Sequence, residues 1–426
     1  MSKLIALISI IVRKNMKVTI LLTAIFAITL GLNYNGVVEL QRIFAGVETR
    51  FVYAEDIKDP AKYFKSFHSA ESEKVIMFKK PAPESVPFDI IIIHICSLSW
   101  DDLKEIGMTQ EDPFFKQFDY LFTNFNSATG YSGPAVTRLL NSNCGQKPHD
   151  ELLKKTPDKA CLLIDSLSSV GYETYLSMNH DGKYGDFTKN IKKNVSTDTK
   201  FLYPENLNPS ATFFDEKTSL FDDYAMLKRW FDLRQASNAK MTSLYYNTIT
   251  MHAGSHWVGE KKWFDRDTHE QYKDVLSALL KDLNKFIELI KSSKRNTVLI
   301  FISEHGRALT GTAFQAADLR DIPLPKITKV PVGIKFIGPK FNDASVKQYL
   351  ITKPTSYIAV SWVLSDFIKK SPFGNTAESP DDIVFKIPET KYVSEHKGRI
   401  IEEIDGSYLY YGKNRKWITL TPEQLK

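Results

Sequence analysis

The stretch FDIIIIHICSLSWDD, residues 88–102, decides the fold of this chain. A run so rich in isoleucine is typical of a central strand that is covered on both faces. The run ends at Cys96, directly before hydroxyl and acidic residues. Chemistry in open α/β sheets lies at the carboxyl ends of strands, so Cys96 is either the first ligand of a metal site or a small core residue. Its position alone leaves both interpretations open.

Strand and helix patterns alternate after residue 88, which predicts an α/β fold: a mostly parallel sheet in an α/β/α sandwich. The clearest helix covers residues 272–290, where apolar residues recur at steps of three and four. A second apolar strand, Thr297–Ile302, follows this helix and ends at the residues SEHG, 303–306. Two buried strands therefore end in potential ligands: a thiol on one, and the pair Glu304 and His305 on the other.

The composition is that of a globular protein, with 43% hydrophobic and 12% aromatic residues among 426. The formal charge of +6 comes from 56 basic and 50 acidic residues, dispersed along the chain, and gives no argument for a nucleic-acid partner. The chain has three cysteines. In an oxidising compartment Cys144 and Cys161 would pair and leave Cys96 over, and three reduced thiols are the alternative.

Two apolar stretches, residues 4–12 and 18–32, stand at the N-terminus and are separated by basic residues. The second is close to the length that crosses a bilayer, and the basic residues before it favour an N-inside orientation with the rest exported. We therefore expect an uncleaved membrane anchor over residues 1–33, with a cleavable signal peptide or a buried helix as alternatives. Mixed charge and spaced prolines predict a stalk over residues 34–87, and the catalytic domain would then cover 88–426.

Thiolate, carboxylate and imidazole are ligands that zinc prefers, so Cys96, Glu304 and His305 predict a metal site that the fold assembles. Ser132 could complete this site, because it directly precedes Gly-Pro and a helical run. At a helix N-terminus, free N–H groups and the helix dipole would favour a phosphoryl oxygen. Coordination to zinc is one way to activate a serine hydroxyl as a nucleophile. The alternative for Ser132 is an ordinary N-cap.

Three more residues are candidates for work on an anionic substrate. His252 and His256 follow a predicted strand, Thr242–Met251, and could bind a phosphate oxygen, move a proton or hold a second metal. Arg320 could clamp an anion, and a surface ion pair is its alternative. The other histidines near strands have simpler expectations: His94 is predicted to be a hydrogen-bonded core residue and His180 a turn residue.

Four segments together resemble the BcsG family, the phosphoethanolamine transferases of bacterial cellulose synthase systems, within the alkaline phosphatase and sulfatase superfamily. The segments are HICSLSW (94–100), NSATGYSGPA (126–135), EHG (304–306) and LRDIP (319–323). The similarity runs in order from residue 88 to a C-terminal hairpin predicted at 399–420, with its turn at Asp405 and Gly406. It implies an alkaline phosphatase-like fold. The front end departs from the family, whose members usually carry a multi-helix membrane domain.

The resemblance implies a Zn²⁺ ion held by Cys96, Ser132, Glu304 and His305, with Ser132 as the nucleophile. The cysteine is distinctive, because related lipid A-modifying transferases have a glutamate at that place.

The resemblance also implies active-site roles for Tyr131, His252 and Arg320, and His256 matches a histidine of the wider transferase group. It supports a Cys144–Cys161 disulfide, which would close a loop of about 16 residues and stabilise the fold by about 3 kcal/mol.

The activity implied by the resemblance is transfer of phosphoethanolamine from phosphatidylethanolamine, through a covalent Ser132 intermediate, to a hydroxyl of a polysaccharide. The glucose 6-hydroxyl of cellulose is the expected acceptor. The expected location is the inner membrane with the catalytic domain in the periplasm, and subunits of a cellulose synthase complex are the expected protein partners. Transfer to lipid A or another exopolysaccharide, and a non-catalytic anchored subunit, are the alternatives.

Overall fold

The structure is a computed structural model that describes residues 57–425, apart from 155, 214–216, 261–264, 342–346 and 403–405. The strands are β1 Asp89–Ile95, β2 Tyr120–Asn126, β3 Glu173–Met178, β4 Lys200–Leu202, β5 Ala211–Thr212, β6 Ser219–Leu220, β7 Thr242–Thr248, β8 His256–Trp257, β9 Thr297–Ser303, β10 Lys329–Ile337, β11 Tyr349–Ile351, β12 Val393–Glu395, β13 Arg399–Glu402, β14 Tyr408–Tyr411 and β15 Trp417–Leu420. The α-helices are α1 Pro60–Ser72, α2 Trp100–Glu105, α3 Pro113–Lys116, α4 Ser132–Leu140, α5 His149–Leu152, α6 Leu163–Ser169, α7 Phe187–Lys192, α8 Asp223–Ala236, α9 Thr268–Ser292, α10 Pro325–Thr328, α11 Tyr357–Lys369 and α12 Pro380–Lys386.

The main sheet has eight strands in the order β11-β2-β10-β9-β1-β7-β3-β4. The pairs of β1 with β7 and β9, of β3 with β4 and β7, and of β11 with β2 are parallel. Strand β10 runs antiparallel to both of its neighbours, β9 and β2. The prediction of a mostly parallel sheet is therefore confirmed, with one reversed strand.

Strand β1 lies at the centre of this sheet, and all seven of its residues are buried. Ile90 and Ile92 pack with apolar residues of α4, α6 and α11 on one face. Ile91, Ile93 and Ile95 pack with α8 and α9 on the other face. Each isoleucine that is fully buried stabilises the fold by about 1.5–3 kcal/mol. The alternation explains why an unbroken apolar run is required, and it confirms the predicted α/β/α sandwich.

A smaller sheet of four strands, in the order β12-β13-β14-β15, lies near the C-terminus. Ile400, Tyr408 and Leu420 pack against the segment that follows β9, in a cluster with Leu324 and Ile327. The other face of the small sheet packs against α1. The predicted hairpin at 399–420 corresponds to β13, β14 and β15, and Asp405 of its predicted turn lies outside the described residues.

Residues 57–87 correct the predicted stalk, because this segment packs onto the domain. Asp59 accepts a hydrogen bond from the backbone N–H of Lys62 and so begins α1. Phe67 is buried with Val393, Ile401 and Leu409 of the small sheet. The compact unit accordingly begins at Ile57 rather than at residue 88. The predicted anchor at 1–33 and residues 34–56 of the stalk lie outside the described part of the chain.

No helix within the described residues combines the length and the apolar character that a bilayer span requires.

The described cysteines follow the predicted pattern. Cys144 and Cys161 form a disulfide, and Cys96 is free and buried. The disulfide joins the segment after α4 to the short 3₁₀ turn Lys159–Cys161. It therefore fastens the C-terminal end of α4 while the N-terminal end of the same helix faces the candidate site.

Candidate metal centre and nucleophile

The candidate site lies where β1 and β9 end beside each other. The two strands pair in register up to Ile95 and Ser303, so the next residues, Cys96 and Glu304, are neighbours. The backbone N–H of Cys96 donates to Thr248, and that of Glu304 donates to Ile95. Three adjacent strands of the sheet therefore position the two side chains.

Cys96, Glu304 and His305 form a buried group whose ligand atoms all lie within 4.8 Å of one another. The distance from Cys96 Sγ to His305 Nε2 is 3.8 Å, and that from Glu304 Oε2 to His305 Nε2 is also 3.8 Å. Separations of this size suit donors that converge on one central cation, with zinc–ligand distances of about 2.0–2.3 Å. The fold thus brings together the three residues that the two strand ends predicted.

Ser132 is the first residue of α4, and Tyr131 occupies the N-cap position without a side-chain capping bond. Ser132 Oγ lies 3.2 Å from His305 Nε2 and 3.4 Å from Cys96 Sγ. The alternative that Ser132 is an N-cap is therefore wrong, because Tyr131 occupies that position and Ser132 begins the helix.

Two hydrogen bonds fix the orientation of the ligand side chains. Asn247 Nδ2 donates to Glu304 Oε1 over 2.6 Å. His305 Nδ1 lies 2.8 Å from the carbonyl oxygen of Gly306 and donates to it, which leaves the lone pair of Nε2 directed at Ser132 and Cys96. Partners of this kind are typical of metal-binding histidine and carboxylate groups.

Gly306 is required by close packing behind the site. A Cβ atom at this position would lie 2.6 Å from Ser99 Oγ and 2.8 Å from Asp102 Oδ2. Asp102 accepts hydrogen bonds from the backbone N–H groups of Arg307 and Leu309. The absence of a side chain at Gly306 therefore lets the start of α2 pack closely against the segment that follows β9.

The electrostatics of the site favour a bound cation. Burial raises the pKa of Cys96 to about 12, and the negative charge of Glu304 adds to the increase. Burial raises the pKa of Glu304 to about 7 and lowers that of His305 well below its ordinary value. Glu304 Oε2 is buried and has no hydrogen-bond partner among the described residues. The donor set and this unpaired oxygen fit Zn²⁺, which offsets the cost of burying negative charge.

Arg320 and His252 lie close enough to influence the ligand group. Arg320 Nε donates to the carbonyl oxygen of Gly130, next to the nucleophile loop, and its charge lowers the pKa of His305. Arg320 Nη1 is buried without a partner among the described residues, as expected for a group that binds an anion. Burial, together with the charge of Arg320, lowers the pKa of His252, whose Nδ1 lies 2.9 Å from the carbonyl of Ala253.

Tyr131 and His256 occupy more peripheral places. The Tyr131 hydroxyl donates to Asp321 Oδ1 over 2.8 Å, and the Arg320 guanidinium lies 5.3 Å from the Tyr131 ring. His256 lies on β8, and its Nδ1 contacts the carbonyl oxygen of Gly254. The catalytic roles of both residues stay predictions.

Several residues of the site were not singled out from sequence. Asn247 supports Glu304 through its hydrogen bond. Asp321 supports Tyr131 and is itself paired with Lys397 over 2.7 Å. A polar residue near the end of a buried strand was a usable signal for Asn247, whereas Lys397 had none. His94 is a hydrogen-bonded core histidine as predicted, 3.0 Å from Tyr245 Oη. His180 is buried and bonds to Asn247, so it is more than a turn residue.

Comparison with known proteins agrees with this architecture. The fold resembles a protein in the alkaline phosphatase superfamily from Vibrio parahaemolyticus, with a TM-score of 0.56 and 15% identity over 85% of this chain and 88% of that one. The C-terminal periplasmic domain of EcEptC from Escherichia coli, in complex with Zn, gives a TM-score of 0.50 and 13% identity over 76% and 93%. These two similarities confirm the predicted fold class.

The sequence is 33% identical over 340 residues to the cellulose biosynthesis protein BcsG of Escherichia coli strain K12. The match covers 80% of this chain and 59% of that protein, so the chain spans about three-fifths of the length of the relative. Residues 48–417 match the family model of the cellulose biosynthesis protein BcsG C-terminal domain. The chain therefore belongs to the BcsG family, as the sequence motifs at the candidate site predicted.

Proposed function

We propose that this chain is a zinc-dependent phosphoethanolamine transferase that uses Ser132 as its nucleophile. It takes the group from phosphatidylethanolamine and passes it to a hydroxyl of a polysaccharide, with the glucose 6-hydroxyl of cellulose as the acceptor. The observation that carries this proposal is the position of Ser132 Oγ, within 3.4 Å of both Cys96 Sγ and His305 Nε2. Membership of a family named for cellulose biosynthesis supports the choice of acceptor.

Zinc, when bound by Cys96, Glu304 and His305 beside Ser132, supplies a positive charge that lowers the pKa of the hydroxyl and polarises a phosphoryl group. In the first step Ser132 Oγ forms a bond to phosphorus, and the bond between phosphorus and the glycerol oxygen breaks. The proton that Ser132 loses is matched by one that the diacylglycerol oxygen gains. In the second step the acceptor hydroxyl loses a proton and its oxygen attacks the same phosphorus atom, the bond from phosphorus to Ser132 Oγ breaks, and Oγ regains a proton.

Arg320 and His252 have separate roles in these steps. The unpartnered Nη1 of Arg320 binds a non-bridging phosphoryl oxygen, whose negative charge it stabilises more strongly in a buried site than in water. His252 donates through Nδ1 to Ala253, so its Nε2 keeps a lone pair that can accept the proton of the incoming hydroxyl. The lowered pKa of His252 keeps the imidazole neutral and available for this transfer.

The surroundings of the enzyme are part of the proposal. The domain would act in the periplasm, tethered to the inner membrane by an anchor at residues 1–33, and would associate with subunits of a cellulose synthase complex. The disulfide between Cys144 and Cys161 supports an oxidising compartment.

The test is the mass of the Ser132 peptide after the protein has been incubated with phosphatidylethanolamine. The expected result is an increase equal to one phosphoethanolamine group in the native chain and no increase in Ser132→Ala. Ser142→Ala is a control, because Ser142 is buried on the same polypeptide segment and bonds to Ser361 instead. Equal modification of cellulose by the native chain and by Ser132→Ala would contradict the proposal. Transfer of a labelled group to another polymer and not to cellulose would show that the acceptor is a different polysaccharide.

A further inference from the structure

A groove of about 590 Å³ lies beside the candidate site and has no role in the steps described above. One wall is the segment 314–322, which follows β9, and the other is the hairpin of β14 and β15. Asp321 lines this groove and also accepts the hydrogen bond from Tyr131, the residue before the nucleophile. One hydrogen bond therefore links the lining of the groove to the residue beside Ser132.

The walls of the groove are largely apolar. Leu319 and Ile418 both line it, and they are 51% and 45% exposed, so two large apolar side chains on opposite walls are open to an occupant. Phe314 and Tyr410 also line it, and their ring centroids lie 6.4 Å apart. Gly412 makes room for the Tyr410 ring, because a Cβ atom there would lie 2.2 Å from the Tyr410 hydroxyl oxygen. The absence of a side chain at Gly412 thus lets an aromatic ring line the groove.

Two polar side chains on the wall formed by segment 314–322 are already engaged within the protein. The Gln315 amide donates to the carbonyl of Ile322 and accepts from the N–H of the same residue. Asp321 bonds to both Tyr131 and Lys397. A sugar chain needs free hydrogen-bonding partners for its hydroxyl groups, and the other exposed polar side chains of the lining, Lys413, Asn414 and Lys416, all lie on the hairpin. The wall formed by segment 314–322 therefore suits an apolar occupant better than a glucan.

The hairpin that forms the outer wall carries exposed positive charge. Lys413, Arg415 and Lys416 all lie exposed in the turn between β14 and β15, and both lysines line the groove. Basic side chains that flank an apolar surface favour the phosphate layer of a bilayer, because the charge meets the phosphates while apolar neighbours enter the lipid.

We propose that this groove binds the diacylglycerol part of the donor phospholipid, with the basic hairpin against the membrane surface. The proposal rests on the proposed function and specifies where its lipid substrate lies. The phosphodiester would reach Ser132 and Arg320 while the acyl chains lie along Leu319, Phe314 and Ile418. When the bond from phosphorus to the glycerol oxygen breaks, diacylglycerol is already held in the groove and leaves through it to the bilayer.

The first test compares two donors with the same phosphodiester, dioleoyl phosphatidylethanolamine in vesicles and water-soluble glycerophosphoethanolamine. Ile418→Glu in the full chain should slow modification of Ser132 by the lipid by about tenfold, the scale on which an apolar pocket responds to one altered group, and leave the soluble donor unaffected. Phe385→Glu is the matched control, because Phe385 is 55% exposed and does not line the groove. Equal slowing with both donors, or no slowing with either, would overturn the proposal.

The second test does not depend on transfer. Phosphatidylethanolamine with a photoactivatable acyl chain is cross-linked to the full-length Ser132→Ala chain in vesicles, and the labelled peptides are mapped. Labelling within 314–322 and 410–418 is expected even if the native chain forms no Ser132 adduct. This labelling without an adduct would contradict the proposed function but support the lipid groove. Labelling elsewhere, or displacement of the label by cellohexaose, would show that the groove is not a lipid site.

Discussion

At the scale of single residues, Cys96 gives the sharpest test of the metal centre. Its side chain is small and buried, so Cys96→Ala leaves only a small cavity and should cost about 1 kcal/mol of folding free energy. The variant should nevertheless lose most of its zinc and of the Ser132 modification, because one of three clustered donors is gone. Metal analysis of the purified protein, together with thermal unfolding, separates the two effects. Full zinc and full turnover would contradict the ligand assignment.

Asn247 is expected to orient a ligand rather than to bind metal itself. Asn247→Leu removes the donor that lies 2.6 Å from Glu304 Oε1 and leaves that oxygen unsatisfied. Loss of such a supporting group typically weakens metal affinity by about 10–100-fold. Competition with a zinc chelator measures the change, and Asn284→Leu on the exposed face of α9 is the control. An unchanged affinity would show that Glu304 is held by other contacts.

The residues differ in how far the sequence could predict them. Cys96, Glu304 and His305 were predictable because each stands where a buried apolar run stops. Ser132 was a candidate because it precedes Gly-Pro and a helical run, and the family resemblance added its role as nucleophile. The contact of Asn247 with Glu304 spans 57 residues of sequence, and that of Asp321 with Lys397 spans 76. No local pattern marks such pairs, because the fold alone decides which side chains meet.

At the scale of elements, the contact of α1 with the small sheet should depend on pH. His68 Nε2 on α1 lies 2.9 Å from Glu395 Oε1, at the end of β12. Burial alone would raise the pKa of Glu395, but the hydrogen bond with His68 and the charge of Arg138 outweigh burial and hold the pKa below its ordinary value. A lowered pKa means that the ionised carboxylate stabilises the folded state.

This stabilisation is present above the unfolded pKa of about 4.3 and is lost as the pH falls through the lower folded pKa. Glu395→Gln should therefore lower the melting temperature at neutral pH and lose less further stability than the native chain on acidification. Thermal unfolding from about pH 7 to pH 3 measures the difference, and exposed Glu111→Gln is the control. Parallel curves for Glu395→Gln and the native chain would refute the role of this carboxylate.

The elements of the main sheet were largely predictable, because each buried strand is an apolar run and α9 repeats apolar residues at helical spacing. The direction of β10 was not, since a strand that is buried on both faces looks the same in either orientation. Helix α1 was missed although Asp59 and Pro60 mark a helix start and Tyr63, Phe64 and Phe67 share one face. The mixed charge and the prolines around it led to its assignment to a stalk.

At the scale of the whole molecule, the first domain boundary has a measurable consequence. A chain that begins at Ile57 keeps α1 over the small sheet, whereas one that begins at Phe88 exposes Val393, Ile401 and Leu409. We expect the longer fragment to unfold cooperatively and the shorter one to be less stable by several kcal/mol, at about 25 cal/mol per Å² of apolar surface exposed. Urea denaturation of both fragments measures the difference in their free energy of unfolding. Equal midpoints would show that the folded domain begins at residue 88, as the sequence predicted.

The central place of β1 and β9 also affects how the domain opens. Both strands have neighbours on each side and are buried along their whole length, so their amides become accessible only when the domain unfolds globally. The turn between β14 and β15 is exposed, and its amides can exchange with solvent through small local openings. In native-state hydrogen exchange we therefore expect the strands that lead to Cys96 and Glu304 to belong to the slowest-exchanging unit, while the amides of the basic hairpin exchange through local openings.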